Sequence, residues 1–202
     1  MKKIIWLLIP ILLLLLFYSF SDNETDESYL SAVEKEISNR HKYLAFNEAS
    51  PFSQFDVVYQ KPSYYPIDKK YKVNASVERI KERQIIFLNT SNGESERYQK
   101  FAWLKFSIDG QLLRLLVLKP IEFGADKTLF CGFADDTSGK GSYGGGRYLD
   151  VTIGKSNKTS LDFNLAYNPY CAYVDQYTCP LPSSENVLAI AIEAGERAYK
   201  NE

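Results

Sequence analysis

The spacing of apolar positions along this chain changes three times, and each change marks a different kind of element. From Ile4 to Phe20 the run is almost unbroken, interrupted by Pro10 and Ser19 and preceded by Lys2 and Lys3. A positive start followed by an apolar stretch is the layout of an export signal, and Ser19-Phe20-Ser21 offers a small-x-small cleavage site. The run also sits at the short limit of a membrane span. Residues 1–21 therefore read as a signal peptide or an N-terminal membrane anchor. Both readings expect the remainder to be extracytoplasmic, in the periplasm or at the cell surface, and either secreted or held by that segment. Residues 22–28 are a polar, acidic linker, and 29–202 are expected to form one domain.

Helical spacing comes next. Tyr29, Val33, Ile37 and Leu44 recur on one face, with Glu24, Asp26 and Glu27 near the start and Arg40, His41 and Lys42 toward the end, as the helix dipole favours. A helix over about 27–45 is predicted. Beyond it the period drops to two. Tyr71, Val73, Ala75 and Val77 alternate with polar residues, Gln84–Asn89 is a short apolar run, and Ala102, Leu104, Phe106 and Ile108 alternate again. Asp109-Gly110 then separates that run from Leu112–Leu118, a strong hairpin signal. Thr128–Phe133, Arg147–Ile153 and Thr159–Phe163 read as further strands. Val187–Ala194 fits either period; Pro180, Pro182 and Gly195 bound it at strand length, so it too is assigned as a strand. The pattern predicts a mainly β fold, a single antiparallel β-sandwich or barrel-like domain preceded by an N-terminal helix.

Composition narrows the partners. The 202 residues are 45% hydrophobic and 14% aromatic, enough for one core, and the net charge is −1. Removal of the leader with Lys2 and Lys3 takes this to −3. No basic face calls for nucleic acid.

Several long motifs then accumulate: GGGRYLD at 144–150, LDFNLAYNPYCAY at 161–173, CPLPSSEN at 179–186 and AGE at 194–196. Tyr65-Pro66-Ile67-Asp68 followed by Tyr71-Lys72-Val73-Asn74-Ala75 precedes them. Together they resemble the DUF1684 family, bacterial proteins of unknown function, over roughly residues 27–197. Ser183 departs from the family pattern, which often has a third proline there. The resemblance implies a shared fold and a shared site, and no activity.

The same motifs hold the candidate chemistry. Arg147, beside three glycines and flanked by Tyr143 and Tyr148, suits a bidentate clamp on a carboxylate or phosphate, or an internal salt bridge to Asp150, Asp162 or Glu185. Asn164, Asn168 and Asn186 add neutral hydrogen-bonding capacity, and Tyr167, Tyr170 and Tyr173 offer stacking faces. Asp136, Asp150, Asp162, Glu185 and Glu196 could supply an acid/base pair, with Asp162 and Glu185 the first candidates. Cys171 and Cys179 lie eight apart, for which a disulfide is the first reading; free structural thiols and metal or redox work are the others. Cys131 reads as a buried small hydrophobe. Gly139–Gly144 spells G-x-G-x-x-G, but a strand rather than a helix follows, so a turn is the better reading than a nucleotide loop. His41 is the only imidazole, so no Cys-His or Ser-His-Asp constellation is expected, nor a metal or cofactor. Three functions follow. The first is binding of a small polar or carbohydrate-like ligand where loops 135–147 and 162–186 converge. The second is a carboxylate-dependent hydrolase. The third is a structural envelope protein in which the motifs are a folding staple.

Overall fold

The computed structural model describes residues 25–121 and 129–199. The signal peptide or anchor expected over residues 1–21 lies outside them, and no described helix is long and apolar enough to cross a membrane. Helix α1 (Asp26–Phe46) begins at Thr25, whose side chain accepts from the Ser28 amide, the usual way to satisfy an orphan donor at a helix start. It turns Tyr29, Val33 and Leu44 inward. A short helix, α2 (Pro51–Gln54), follows, capped by Ser50.

Strands β1 (Lys72–Arg79), β2 (Ile85–Asn89), β3 (Ser95–Ile108), β4 (Gln111–Pro120) and β7 (Lys158–Asp162) form a five-stranded antiparallel sheet. The long β3 organises it. Its one edge is shared by β2, opposite Ser95–Gln99, and by β1, opposite Ala102–Lys105; β4 takes the other edge from Tyr98 to Ile108. The Asp109-Gly110 hairpin forms as predicted. Both residues have positive φ (49° and 79°), the turn whose twist matches that of paired strands. Two short strands, β5 (Gly132–Phe133) and β6 (Arg147–Tyr148), make a second antiparallel sheet.

The period-two pattern is what buries one face of the large sheet. Ala75, Val77, Ala102, Leu104, Phe106, Leu115 and Val117 point to one side, against Phe133, Leu149, Phe163, Leu188, Ile192 and Ala194 from the C-terminal third. This gives a mainly β, sandwich-like arrangement, with no closed barrel among the described residues. A second cluster, Leu44, Phe52, Tyr173 and Val174, clamps the end of α1 to the domain.

The C-terminal third is less regular than its sequence predicts. Of Arg147–Ile153 only the first two residues are strand, and of Thr128–Phe133 only the last two, with Phe130 bridging Leu118 and Thr128 outside the described residues. Val187–Ala194 is not a strand. Val187 forms one bridge to Ala134, and the carbonyls of Ile192 and Ala194 accept from the Arg147 guanidinium instead of a neighbouring strand. Side chains have replaced the ladder.

Candidate functional site

The structure corrects the expectation that Arg147 clamps a ligand. Its side chain has zero exposure, and Nη2 donates to Asp135 Oδ2 at 2.8 Å and to Ile192 O at 2.9 Å. Nη1 donates to the carbonyls of Ala194 and, at 3.3 Å, Glu196. Asp135 is held in turn by the Thr137 amide at 2.8 Å and the Ile192 amide at 3.2 Å. Gly146 permits this. Its φ is +85°, and a Cβ there would meet Phe133 O at 2.7 Å. A buried guanidinium is tolerable only when paired, and here it ties the 133–147 loops to the 192–196 segment.

Other predicted anchors are also sealed. Asn186 accepts from the Leu116 amide at 2.6 Å and donates to Leu116 O and Gly132 O, standing in for a strand residue beside β4. Asn164 bonds Asp68 N and O, Tyr29 Oη and Asp162 Oδ1. Tyr148, only partly buried, donates to Pro180 O at 2.6 Å. The acid/base pair is not assembled. Asp162 is level with Lys72 at the hairpin end of the sheet, whereas Glu185 ion-pairs with Lys100. The β1/β3 register puts Lys72 opposite the Asp109 turn, so the two carboxylates are separated by about nine residues of strand, roughly 30 Å.

Polar groups do gather around Glu196, which has zero exposure. Its carboxylate accepts from Arg40 Nε at 2.9 Å, Tyr64 Oη at 2.7 Å, the Asn168 amide at 2.9 Å and Tyr173 Oη. Gly195, with φ +77°, makes the turn inward possible; a Cβ there would meet Ala166 O at 2.6 Å and Phe163 O at 2.7 Å. Burial opposes the Arg40 charge, but Tyr173 and Glu196 outweigh it and raise its pKa. Burial, reinforced by Glu196, raises the Tyr64 and Tyr173 phenols as well, so both remain donors. Asn168 Oδ1 and Arg147 Nε are the buried side-chain atoms left without a hydrogen-bond partner among the described residues.

Arg40 carries this buried cluster to the surface. Its guanidinium lies over the Tyr167 ring, 4.0 Å from the centroid, and faces a cleft of about 310 Å³. Glu36, Ile37, Asn39, Arg40 and Tyr43 of α1 line one side, and Tyr64, Asp150, Leu165 and Tyr167 the other. Tyr167 donates to Asp150 at 2.8 Å. Of the residues singled out in the sequence, Asp150 and Tyr167 line the cleft, and Glu196, Tyr173 and, through its backbone, Asn168 belong to the buried cluster beneath it. Arg40, Tyr64, Glu36 and Asn39 were missed. Arg40 did leave a signal, because it occupies the position between Ile37 and Leu44 where the apolar stripe of α1 is broken.

No disulfide joins Cys171 and Cys179; both are free thiols, as is Cys131. The Cys171 amide donates to Cys179 Sγ at 3.3 Å, and Tyr143 Oη lies 3.8 Å from Cys171 Sγ. Hydrogen bonds, first from the Cys179 thiol and then from Tyr143 and Ser91, outweigh burial and lower the Cys171 pKa to about 6. The same hydrogen bond and burial push Cys179 up. Cys131 is pushed up to about 12 by burial alone. Among the described residues no cluster of three His, Cys, Asp or Glu side chains is placed to hold a metal.

A two-layer antiparallel domain with a helix closing a polar cleft is thus the class that fold and site define. The chain belongs to the DUF1684 family, described as protein of unknown function, whose pattern matches residues 57–197. It is similar to the solution structure of an uncharacterised protein from gene locus rrnAC0354 of Haloarcula marismortui. The two share 32% identity over 85% of this chain and 95% of that one, with a TM-score of 0.63. A search of the curated proteins finds no match.

Proposed function

We propose that this protein is an extracytoplasmic binding module that takes a small, neutral, hydroxyl-rich ligand of carbohydrate type in the cleft between α1 and the Tyr64–Tyr167 wall. The observation that carries this is the lining itself. Tyrosine faces lie beside the exposed carboxylates Glu36 and Asp150 and the amide of Asn39, in a cleft at the lower end of ordinary small-ligand volumes. Carboxylates and amides accept from and donate to hydroxyls, and aromatic faces pack on sugar rings. Because Arg40 is already paired with Glu196, Glu36 and Asp150 leave the rim acidic, which disfavours anions. Neither exposed carboxylate sits in a desolvated setting that would make it a general acid, so binding is favoured over hydrolysis. The location rests on Lys2, Lys3 and the apolar run that follows.

Thermal-shift and calorimetric titrations of the purified full chain with neutral monosaccharides, amino sugars and polyols test this reading. A stabilising ligand whose effect disappears in Glu36→Ala and Asp150→Asn, both surface changes that leave unfolding of the free protein unaltered, supports it. No binding across the panel, or equal binding by the two variants, defeats it. Cell fractionation tests the location.

A further inference from the structure

We propose that Cys171 and Cys179 form a reactive dithiol that exchanges with disulfide-bearing molecules, Cys171 attacking and Cys179 resolving. This site is separate from the α1 cleft and does not depend on it. The two thiols are brought together by the 3₁₀ turn Tyr170–Ala172 and the extended chain entering β-bridge Thr90–Pro180. Cys179 is fixed on both sides. Its amide donates to Ser91 Oγ at 3.1 Å, and its carbonyl accepts from the Ser91 amide at 2.9 Å. Its sulfur is thereby held against the Cys171 backbone, accepting from the Cys171 amide at 3.3 Å.

The surroundings distinguish this pair from an inert core thiol. Cys171 and Cys179 keep 8% and 7% exposure, against 1% for Cys131, which packs wholly among apolar side chains. The Tyr143 hydroxyl lies 3.8 Å from Cys171 Sγ, while the Cys171 amide donates to Cys179 Sγ, so a polar group faces each sulfur. Donors converging on a sulfur stabilise its thiolate, and the thiolate is the nucleophile. Cys179, held beside it, is the second thiol such chemistry needs.

The exchange balances without a further reagent. The Cys171 thiolate attacks one sulfur of R–S–S–R; that bond breaks, a Cys171–S–S–R mixed disulfide forms, and RS⁻ leaves. Cys179 then gives up its proton and attacks Cys171 Sγ, expelling the second RS⁻. The dithiol loses two electrons and two protons, and R–S–S–R becomes two RSH. The same steps in reverse reduce the pair with a thiol.

The test uses reduced full-length protein and glutathione disulfide as the probe. Mass spectrometry should find a Cys171–Cys179 cross-linked peptide that reduced glutathione reopens, with Cys131 untouched. In Cys179→Ser, a glutathione adduct should accumulate on Cys171. In the wild type near pH 7, iodoacetamide should label Cys171 faster than Cys131 by about tenfold or more, with a rate that falls only as pH drops below about 6. Equal labelling of the two cysteines overturns the proposal even if the serine variant does not fold. So does a cross-link that reduced glutathione cannot reopen, which would mark a static structural bond.

Discussion

Arg147 shows what a charge costs inside a β domain and why it stays there. The guanidinium and Asp135 are both without side-chain exposure, 2.8 Å apart, and the two terminal nitrogens also serve carbonyls that have no strand partner, while Nε is left unpaired. Removing one member of such a pair strands the other in a medium that cannot solvate it. Arg147→Met should therefore lower stability by about 3–5 kcal/mol, and adding Asp135→Leu should restore a large part of the loss. Urea unfolding monitored by fluorescence measures both. A single variant within about 1 kcal/mol of the parent would mean that the pair carries no structural weight. The sequence announced Arg147 as important but left clamp and salt bridge equally open, because neither its burial nor its acidic partner, Asp135, is encoded in local spacing.

At the scale of elements, α1 is the piece whose role goes furthest beyond its pattern. Tyr29, Val33, Ile37 and Leu44 predict a helix over about 27–45, and the helix found is Asp26–Phe46. The periodicity says which face is turned inward. It does not say that Tyr29 will hydrogen-bond Asp162 and Asn164, or that Arg40 will reach Glu196, since those partners are more than 130 residues away. Tyr29→Phe keeps the packing and removes the hydroxyl shared by these groups, for an expected loss of about 1 kcal/mol by chemical denaturation. A loss near zero would place the helix's anchorage wholly in its apolar contacts. The hairpin at Asp109-Gly110 was legible for the opposite reason: its geometry depends on two adjacent residues and nothing distant.

For the whole molecule, the helix and the domain it closes share one buried cluster. Leu44 and Phe52 pack on Tyr173 and Val174, and Arg40 is the only cation bonded to the buried Glu196 carboxylate among the described residues. A chain starting at residue 48 would leave Glu196 without that cation and expose the aromatic cluster. It should lose cooperative thermal unfolding and bind dyes specific for apolar surface. Retention of a sharp transition would show that the sheet and C-terminal loops stand without the helix. The family pattern begins at residue 57, yet five of the nine residues lining the cleft come from α1.

Helical spacing was sufficient to predict the N-terminal helix, and alternation of apolar and polar residues a mainly β, antiparallel fold, because each pattern needs only to bury one face. The C-terminal third obeys a different rule. There Asn164, Asn186, Arg147 and Asp135 satisfy backbone groups in place of strands, and such contacts have no period to read. Long-range packing alone determined that the motif residues expected to meet a ligand would be sealed, and that an arginine from the first helix and a glutamate near the end of the chain would meet beneath an open cleft.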